Sequence, residues 1–399
     1  MNACRCLCGL VWIAIAGYSA ASAAEKPVST TGPTASRGVA VDPGPAPAIG
    51  RVIVHGRFGG RIFGFGIDET GTEGLLSEAQ NVGTDEVLAA VETFDLRTGE
   101  IIRLLAMTET HDDFITLGVV GDGVGLVEFE HEIGFLEVER TFHAIIPLES
   151  NRFTLEWTPP IGDDHLIEQV SRNQGTSDVA VYASDIGGGF TPIVFRSNVA
   201  ANTFGPVIPI TDENFATGLV PALAYNAHAH QAVLGVQALG NPFVPPVIAL
   251  IDLNDGTTSV FGGVGLGDVN GIAVDPARNI ACTTTEIDFS VQFYDLATHS
   301  GFSQFLPGAV SQFYSGADVA VDSQHGLFLV AQPNSSTAPG TSSIHVYDMD
   351  GNLVESIDGF HFSNASNVVR MHIALHPAQR FGYVDGPDAG VTEIQGFRY

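Results

Sequence analysis

The feature that most constrains this chain is a short motif of two strands and a turn that recurs along its C-terminal half. One copy is GIAVDPARNIACTTT, which begins at Gly271, and related segments begin at Ala222, Asp318 and His372. In each copy, apolar residues flank a turn rich in Asp, Asn, Gly or Pro, which is typical of a β-hairpin. Because one hairpin is not stable alone in water, these copies must pack together in a larger sheet structure.

Each motif is followed by a third strand that runs into a turn, and in several repeats this strand ends on an Asp: Asp95, Asp252, Asp295 and Asp348. A repeat of about 40 to 50 residues that carries four strands is the signature of a β-propeller blade. No helical periodicity of useful length competes with it. We therefore predict an all-β chain with a propeller of seven four-stranded blades over residues 51–399. Six and eight blades are alternatives, because residues 59–104 are poorly periodic.

The two ends of this region predict how the ring closes. The last repeat stops after VTEIQGFRY, from Val391 to Tyr399, and so lacks a fourth strand. The segment RVIVHGRF, from Arg51 to Phe58, alternates apolar and polar residues and has no partner nearby. An open propeller would leave strand edges unpaired, so we predict that this segment pairs antiparallel with the C-terminal strand.

Two of the repeats carry a family resemblance. GIAVDPARN and HPAQRFGYV resemble the strand-turn-strand units of YVTN-type and NHL-type propeller repeats of exported bacterial proteins. The resemblance covers about the last four blades. It implies the propeller fold, but these motifs specify no reaction.

The N-terminal 50 residues predict export. Residues 1–24 combine one charge, a short apolar stretch and a run of small residues, as in a cleaved signal peptide. Residues 25–50 form a leader rich in Pro, Gly and Ser. Beyond the signal, no stretch of about 18 apolar residues predicts a transmembrane segment. We therefore expect a periplasmic or secreted protein, in which Cys282 is the remaining cysteine and lies in a buried strand.

The net charge of the chain limits the classes of partner that it can bind. Its 45 acidic and 16 basic residues give a formal net charge of −29. Such a surface repels phosphate backbones, which argues against nucleic acid and anionic lipid as partners. The acidic residues also keep an exported protein soluble, and cations remain plausible partners.

Polar residues just before or at the start of the inner strands predict a candidate site, because these positions converge at one end of a propeller channel. Carboxylate and amide oxygens there could hold Ca²⁺, and a neighbouring His could act as a base. The predicted metal ligands are Asp113, Asp164, Asn270 and Asp318, and the predicted bases are His372 and His165. Calcium-dependent propeller lactonases are similar in placing such ligands around the axis, and Asn270-Gly271 resembles one of their positions. The same residue types also start turns for purely local reasons.

These observations leave three functions open. We expect an exported binding module that recognises a protein, glycan or small molecule at the channel mouth. The alternatives are a calcium-dependent, lactonase-like hydrolase and a structural protein of the cell envelope. The chain has no GxSxG, HExxH or P-loop motif, which argues against serine hydrolases, zincins and nucleotide-dependent enzymes.

Overall fold

The computed structural model shows seven antiparallel blades arranged in a ring. It describes residues 52–81, 87–108, 113–119, 123–134, 137–161, 165–185, 191–217, 221–237, 243–285, 290–307, 318–332, 334–335, 342–360, 363–364, 372–385 and 393–399. The prediction of a seven-bladed, all-β propeller is confirmed.

The strands follow the chain around the ring, one blade after another. Blade 1 contains β2 (Arg61–Ile67), β3 (Glu73–Asn81), β4 (Val87–Asp95) and β5 (Ile101–Thr108). Blade 2 contains β6 (Asp113–Val119), β7 (Gly125–Gly134), β8 (Glu137–Ile145) and β9 (Leu155–Trp157). Blade 3 contains β10 (His165–Arg172), β11 (Asp178–Asp185) and β12 (Ile193–Asn198), and its outer strand is split into β13 (Thr203–Phe204) and β14 (Ile208–Pro209).

The other blades repeat this plan. Blade 4 contains β15 (Ala222–Asn226), β16 (Gln231–Val236), β17 (Val247–Asp252) and β18 (Thr258–Gly262). Blade 5 contains β19 (Val269–Asp275), β20 (Ile280–Thr285), β21 (Ser290–Asp295) and β22 (Ser300–Phe305). Blade 6 contains β23 (Asp318–Asp322), β24 (Leu327–Gln332), β26 (Ser342–Asp348) and β27 (Leu353–Phe360), beside the short parallel pair β25 (Asn334–Ser335) and β28 (Ser363–Asn364). Blade 7 contains β29 (Ile373–His376), β30 (Phe381–Asp385), β31 (Glu393–Arg398) and β1 (Ile53–His55). The described 3₁₀ helices are Glu213–Thr217 and Pro377–Gln379.

The ring closes as the sequence predicts. Strand β1 pairs antiparallel with β31, with Val54 opposite Ile394 and His55 opposite Glu393. The N-terminal strand thus supplies the outer strand that the last repeat lacks. Val54 and Ile394 are fully buried, so the closing pair is also part of the core between blades 7 and 1.

The recurring Asp at the end of the third strand makes the turn that follows it. The Oδ1 atom of Asp252 accepts a hydrogen bond from the Asn254 N–H at 2.7 Å, and Asp295 and Asp348 make the same bond with the residue two positions on. These carboxylates therefore stabilise the turn that follows the third strand.

The core lies between neighbouring blades. The space between blades 5 and 6 is filled by residues such as Cys282, Phe293, Phe328 and Tyr347, each no more than 1 % exposed. The prediction that Cys282 lies in a buried strand is confirmed. No helix among the described residues is long and apolar enough to cross a membrane.

Candidate functional site

All inner strands run in the same direction along the channel, which makes its two ends different. We define the mouth as the end where the inner strands β2, β6, β10, β15, β19, β23 and β29 begin, and the floor as the end where they finish. Because the blades are antiparallel, the second strand of each blade ends at the mouth. The predicted site residues whose backbones the structure describes lie at the mouth: Asp113, His165, Asn270, Asp318 and His372.

Asp318 and His372 come together at the mouth between blades 6 and 7. The Nδ1 atom of His372 lies 3.9 Å from Oδ2 of Asp318. The His372 side chain is 57 % exposed and that of Asp318 is 24 % exposed, so both can be reached from solvent. Two residues that the sequence proposes for one site, 54 positions apart, are therefore neighbours in space.

The Asp318 carboxylate is also part of the ring. Its Oδ1 accepts the Val319 N–H at 2.8 Å, and its Oδ2 accepts the Ile373 N–H of the next blade at 3.0 Å. Burial raises the pKa of this carboxyl to about 6, although His372 and the two N–H donors act in the opposite direction. Each oxygen keeps a second acceptor position that a ligand could use.

Asn270 reaches the same region through a β-bulge. The register of β19 and β20 shifts between Val269 and Gly271, which makes Asn270 the extra residue. Bulges re-aim a side chain and are frequent beside functional sites. The next residue, Gly271, packs so closely on blade 6 that a Cβ atom there would lie 2.7 Å from Cα of Asp318. The backbone next to Asn270 is therefore packed against Asp318.

Asp385 is a member of this cluster that the sequence did not single out. It ends β30, and its Oδ1 accepts the His372 N–H at 2.7 Å. Burial raises the pKa of its carboxyl, and His372 and the N–H bond oppose that shift. Asp385 could have been found from its position in the repeat, because a residue that ends the second strand of a blade lies at the mouth.

A second acidic group lies between blades 2 and 3, part-way along the strands. Glu168 is the extra residue of a bulge in β10, between Ile167 and Gln169, and its Oε1 accepts a hydrogen bond from Ser184 Oγ at 2.9 Å. Glu128 on β7 is close enough for its pKa to respond to Glu168. Carboxyl groups thus lie on both sides of the ring, at the mouth in blades 6 and 7 and part-way along the strands in blades 2 and 3.

Three predicted site residues have no described side chain. Asp164 lies outside the described residues. Asp113 and His165 begin β6 and β10 at the mouth, which places their backbones where the sequence expects them. Their convergence with Asp318 stays a prediction. Within the described part of the chain, no group of three or more His, Cys, Asp or Glu side chains is arranged to hold a metal ion.

The floor of the channel is crossed by the turn after β10. Arg172 donates from Nη1 to the Val119 carbonyl oxygen at 2.7 Å, and its Nη2 lies 2.8 Å from Oε1 of Glu69. The Gln174 side chain donates to the Val321 carbonyl oxygen of blade 6, on the other side of the ring. We call residues 172–175 the floor bridge, and it obstructs the end of the channel opposite the candidate site.

The fold and the site define the class of this chain, a seven-bladed β-propeller with an acidic mouth and a bridged floor. The chain matches no protein-family model and no curated protein.

Proposed function

We propose that this chain is an exported binding module that recognises its ligand at the mouth of the propeller. The observation that carries the proposal is the difference between the two channel ends. At the mouth, Asp318 and His372 are partly exposed and keep spare hydrogen-bonding capacity, whereas the floor bridge crosses the other end. Export rests on residues 1–24, whose pattern is that of a signal peptide.

The chemistry of the mouth selects the kind of ligand. The Asp318 and Asp385 carboxylates and the Asn270 amide present oxygen acceptors, and the net charge of −29 attracts cations. The ligand is therefore a protein, glycan or small molecule that offers ammonium, guanidinium or hydroxyl donors. A phosphate-rich or anionic polymer would be repelled.

Binding of defined oligomers tests this proposal. Fluorescence anisotropy would compare hexalysine, a hexamer of glucosamine and hexaglutamate at physiological salt. We expect at least one cationic oligomer to bind, and D318N to weaken it about tenfold, as loss of a charge-assisted contact does. The matched control is D350N, which removes the same charge from an exposed turn of blade 6 at the floor side.

The outcomes distinguish binding at a defined site from attraction by the overall charge of the protein. Equal weakening by D318N and D350N would mean that only the overall charge attracts the oligomers, which would refute the mouth as the site. Absence of binding by both cationic oligomers would also refute the proposal, and would favour the structural envelope role. H372A, which changes an exposed side chain, should weaken binding without lowering the melting temperature.

A second candidate is a calcium-dependent, lactonase-like hydrolase, favoured by the His372 imidazole beside Asp318, against which the backbone at Gly271, next to Asn270, is packed. Ca²⁺ takes six to eight oxygen ligands, so Asp318 and Asn270 would need the predicted Asp113 and Asp164 as further ligands. Bound calcium would polarise an ester carbonyl. His372, or His165, would accept the proton of the attacking water.

Melting with and without calcium tests this candidate independently of activity. Calcium that binds only the folded state raises its stability, by about 2.7 kcal/mol at 100 times the dissociation constant. We expect millimolar calcium to raise the melting temperature relative to EDTA, and D318N to lose this effect. An unchanged melting temperature would reject both the calcium site and the hydrolase.

A further inference from the structure

The connection that follows the ring-closing strand rests on two buried carboxyl groups. Residues 56–60 link β1 of blade 7 to β2 of blade 1. They cover Glu78 on β3 and Glu92 on β4, whose exposed fractions are both 0 %. Fully buried acidic side chains are rare unless they are paired, so Glu78 and Glu92 should each have a hydrogen-bonding or charged partner.

The partners of the two carboxyl groups are supplied by the connection itself. The Phe58 and Gly60 N–H groups donate to Oε1 and Oε2 of Glu78, each at 2.8 Å. The Arg57 N–H donates to Oε2 of Glu92 at 2.9 Å, and Arg57 Nε lies 3.4 Å from Oε1 of the same carboxyl. Three backbone N–H donors of the connection, those of Arg57, Phe58 and Gly60, are thus held by blade 1.

The fit leaves no space for a side chain at the start of the connection. A Cβ atom on Gly56 would overlap the Glu78 carboxylate. The glycine therefore lets the backbone approach the carboxylate closely enough for the next residues to donate to it. We call residues 56–60 together with Glu78 and Glu92 the latch.

If Glu78 and Glu92 are both ionised, the latch has two negative charges and one positive charge, that of Arg57. The charged groups that face Glu92 are Glu78 on the neighbouring strand and Arg57 on the connection. The Arg57 side chain is 44 % exposed, so water screens much of its charge. Burial raises the pKa of Glu92 to about 7, the Arg57 N–H and guanidinium lower it, and Glu78 raises it further. A negative charge on the buried Glu92 is therefore disfavoured until the pH reaches about 7.

We propose that the latch is a proton-dependent device that holds the propeller ring closed. With a proton on Glu92, the two carboxyl groups hold the connection through its hydrogen bonds and keep β1 on β31. When Glu92 loses that proton, a buried negative charge forms beside Glu78 and residues 56–60 are held less tightly. The ring then opens locally at β1.

The direction of the pH effect follows from the folded and unfolded states. The pKa of Glu92 is higher in the folded chain than its ordinary value of 4.5, so the folded state binds the proton more tightly. The stabilisation is complete below pH 4.5 and is lost as the pH rises to about 7. The latch therefore holds residues 56–60 more tightly in mild acid than in mild alkali.

Hydrogen exchange of the full chain, followed by mass spectrometry and corrected for intrinsic rates, tests the proposal. We expect the protection of residues 52–60 and 393–398 to fall about tenfold or more between pH 5.5 and pH 8.5. E92Q keeps a neutral group at this position, so its protection should change little over the same range. The matched control E100Q alters an exposed glutamate in a turn of the same blade and should follow the wild type.

Two further results decide the matter. G56A should lower the protection of residues 52–60 at both pH values, because the obstruction by Cβ does not depend on protons. If E92Q does not fold, the wild-type profile still decides, since protection that stays constant from pH 5.5 to pH 8.5 overturns the proposal. Loss of protection in E92Q equal to that in the wild type overturns it as well.

Discussion

Glu128 gives the sharpest prediction on stability. It lies on β7 and is 1 % exposed. The Nε atom of Arg140 is 3.3 Å from Oε1 of Glu128, but it donates to Oε1 of Glu130 at 2.8 Å. Burial raises the pKa of Glu128 to about 8, Glu130 and Glu168 raise it further, and Arg140 opposes them. Glu128 is therefore a buried acid that carries a proton at neutral pH.

The size of its effect follows from the pKa difference. The ordinary pKa of 4.5 rises to about 8, so between these values the folded state holds a proton that the unfolded state has released. Stability from this group is complete below pH 4.5 and falls as the pH rises to 8. Each pKa unit corresponds to about 1.4 kcal/mol, so the group loses about 3 kcal/mol between pH 5.5 and pH 8.5.

Replacing Glu128 by Gln removes this pH dependence, because glutamine stays neutral. Denaturant unfolding at pH 5.5 and pH 8.5 would compare the wild type, E128Q and the control E139Q, an exposed glutamate on β8. We expect the loss of stability between the two pH values to be about 3 kcal/mol smaller in E128Q and unchanged in E139Q. An E128Q protein that loses as much stability as the wild type would refute the reasoning.

Three other predictions concern packing and closure. Deleting residues 25–48 should leave the melting temperature unchanged. Deleting residues 25–58 removes β1 and should lower the melting temperature or cause aggregation. Equal melting temperatures of the two deletion variants would contradict the observed ring closure. Cys282 is fully buried, so a thiol reagent should label the native protein far more slowly than the denatured one, and rapid native labelling would contradict its burial. G66A should destabilise the protein by about 1–3 kcal/mol or more, because its Cβ would meet the backbone of blade 2. G262A, in open space, is the matched control and should be nearly neutral.

The fold could be predicted because its signals are local. Each blade repeats an apolar strand, a turn and a second apolar strand, and the Asp that ends the third strand makes its turn with residues two positions on. Ring closure could be predicted as well, because one unpaired strand stood at each end of the repeats. Such features require only neighbouring residues and a count of strands.

The site could be predicted only in part, because its contacts join distant segments. Asp318 and His372 were found from their positions at the start of inner strands. Glu168 was missed because a bulge makes it the extra residue of its strand, and no residue type signals a bulge. The floor bridge was also missed, since Arg172 meets Glu69 only after the ring has formed.

A comparison of blades 3 and 6 shows which part of the role of Asp318 is structural. Gln169 of blade 3 accepts the Leu223 N–H of the next blade at 3.0 Å, and Asp318 accepts the Ile373 N–H in the same way. A neutral amide oxygen is therefore sufficient to join two blades at this position. Blade 6 instead uses a carboxyl whose pKa is raised to about 6 by burial, so its ionisation costs stability at neutral pH. This charge beside the exposed His372 is consistent with the ligand site that we propose at the mouth. D318N keeps one acceptor for the blade contact and removes the charge, so it should lose binding more than stability.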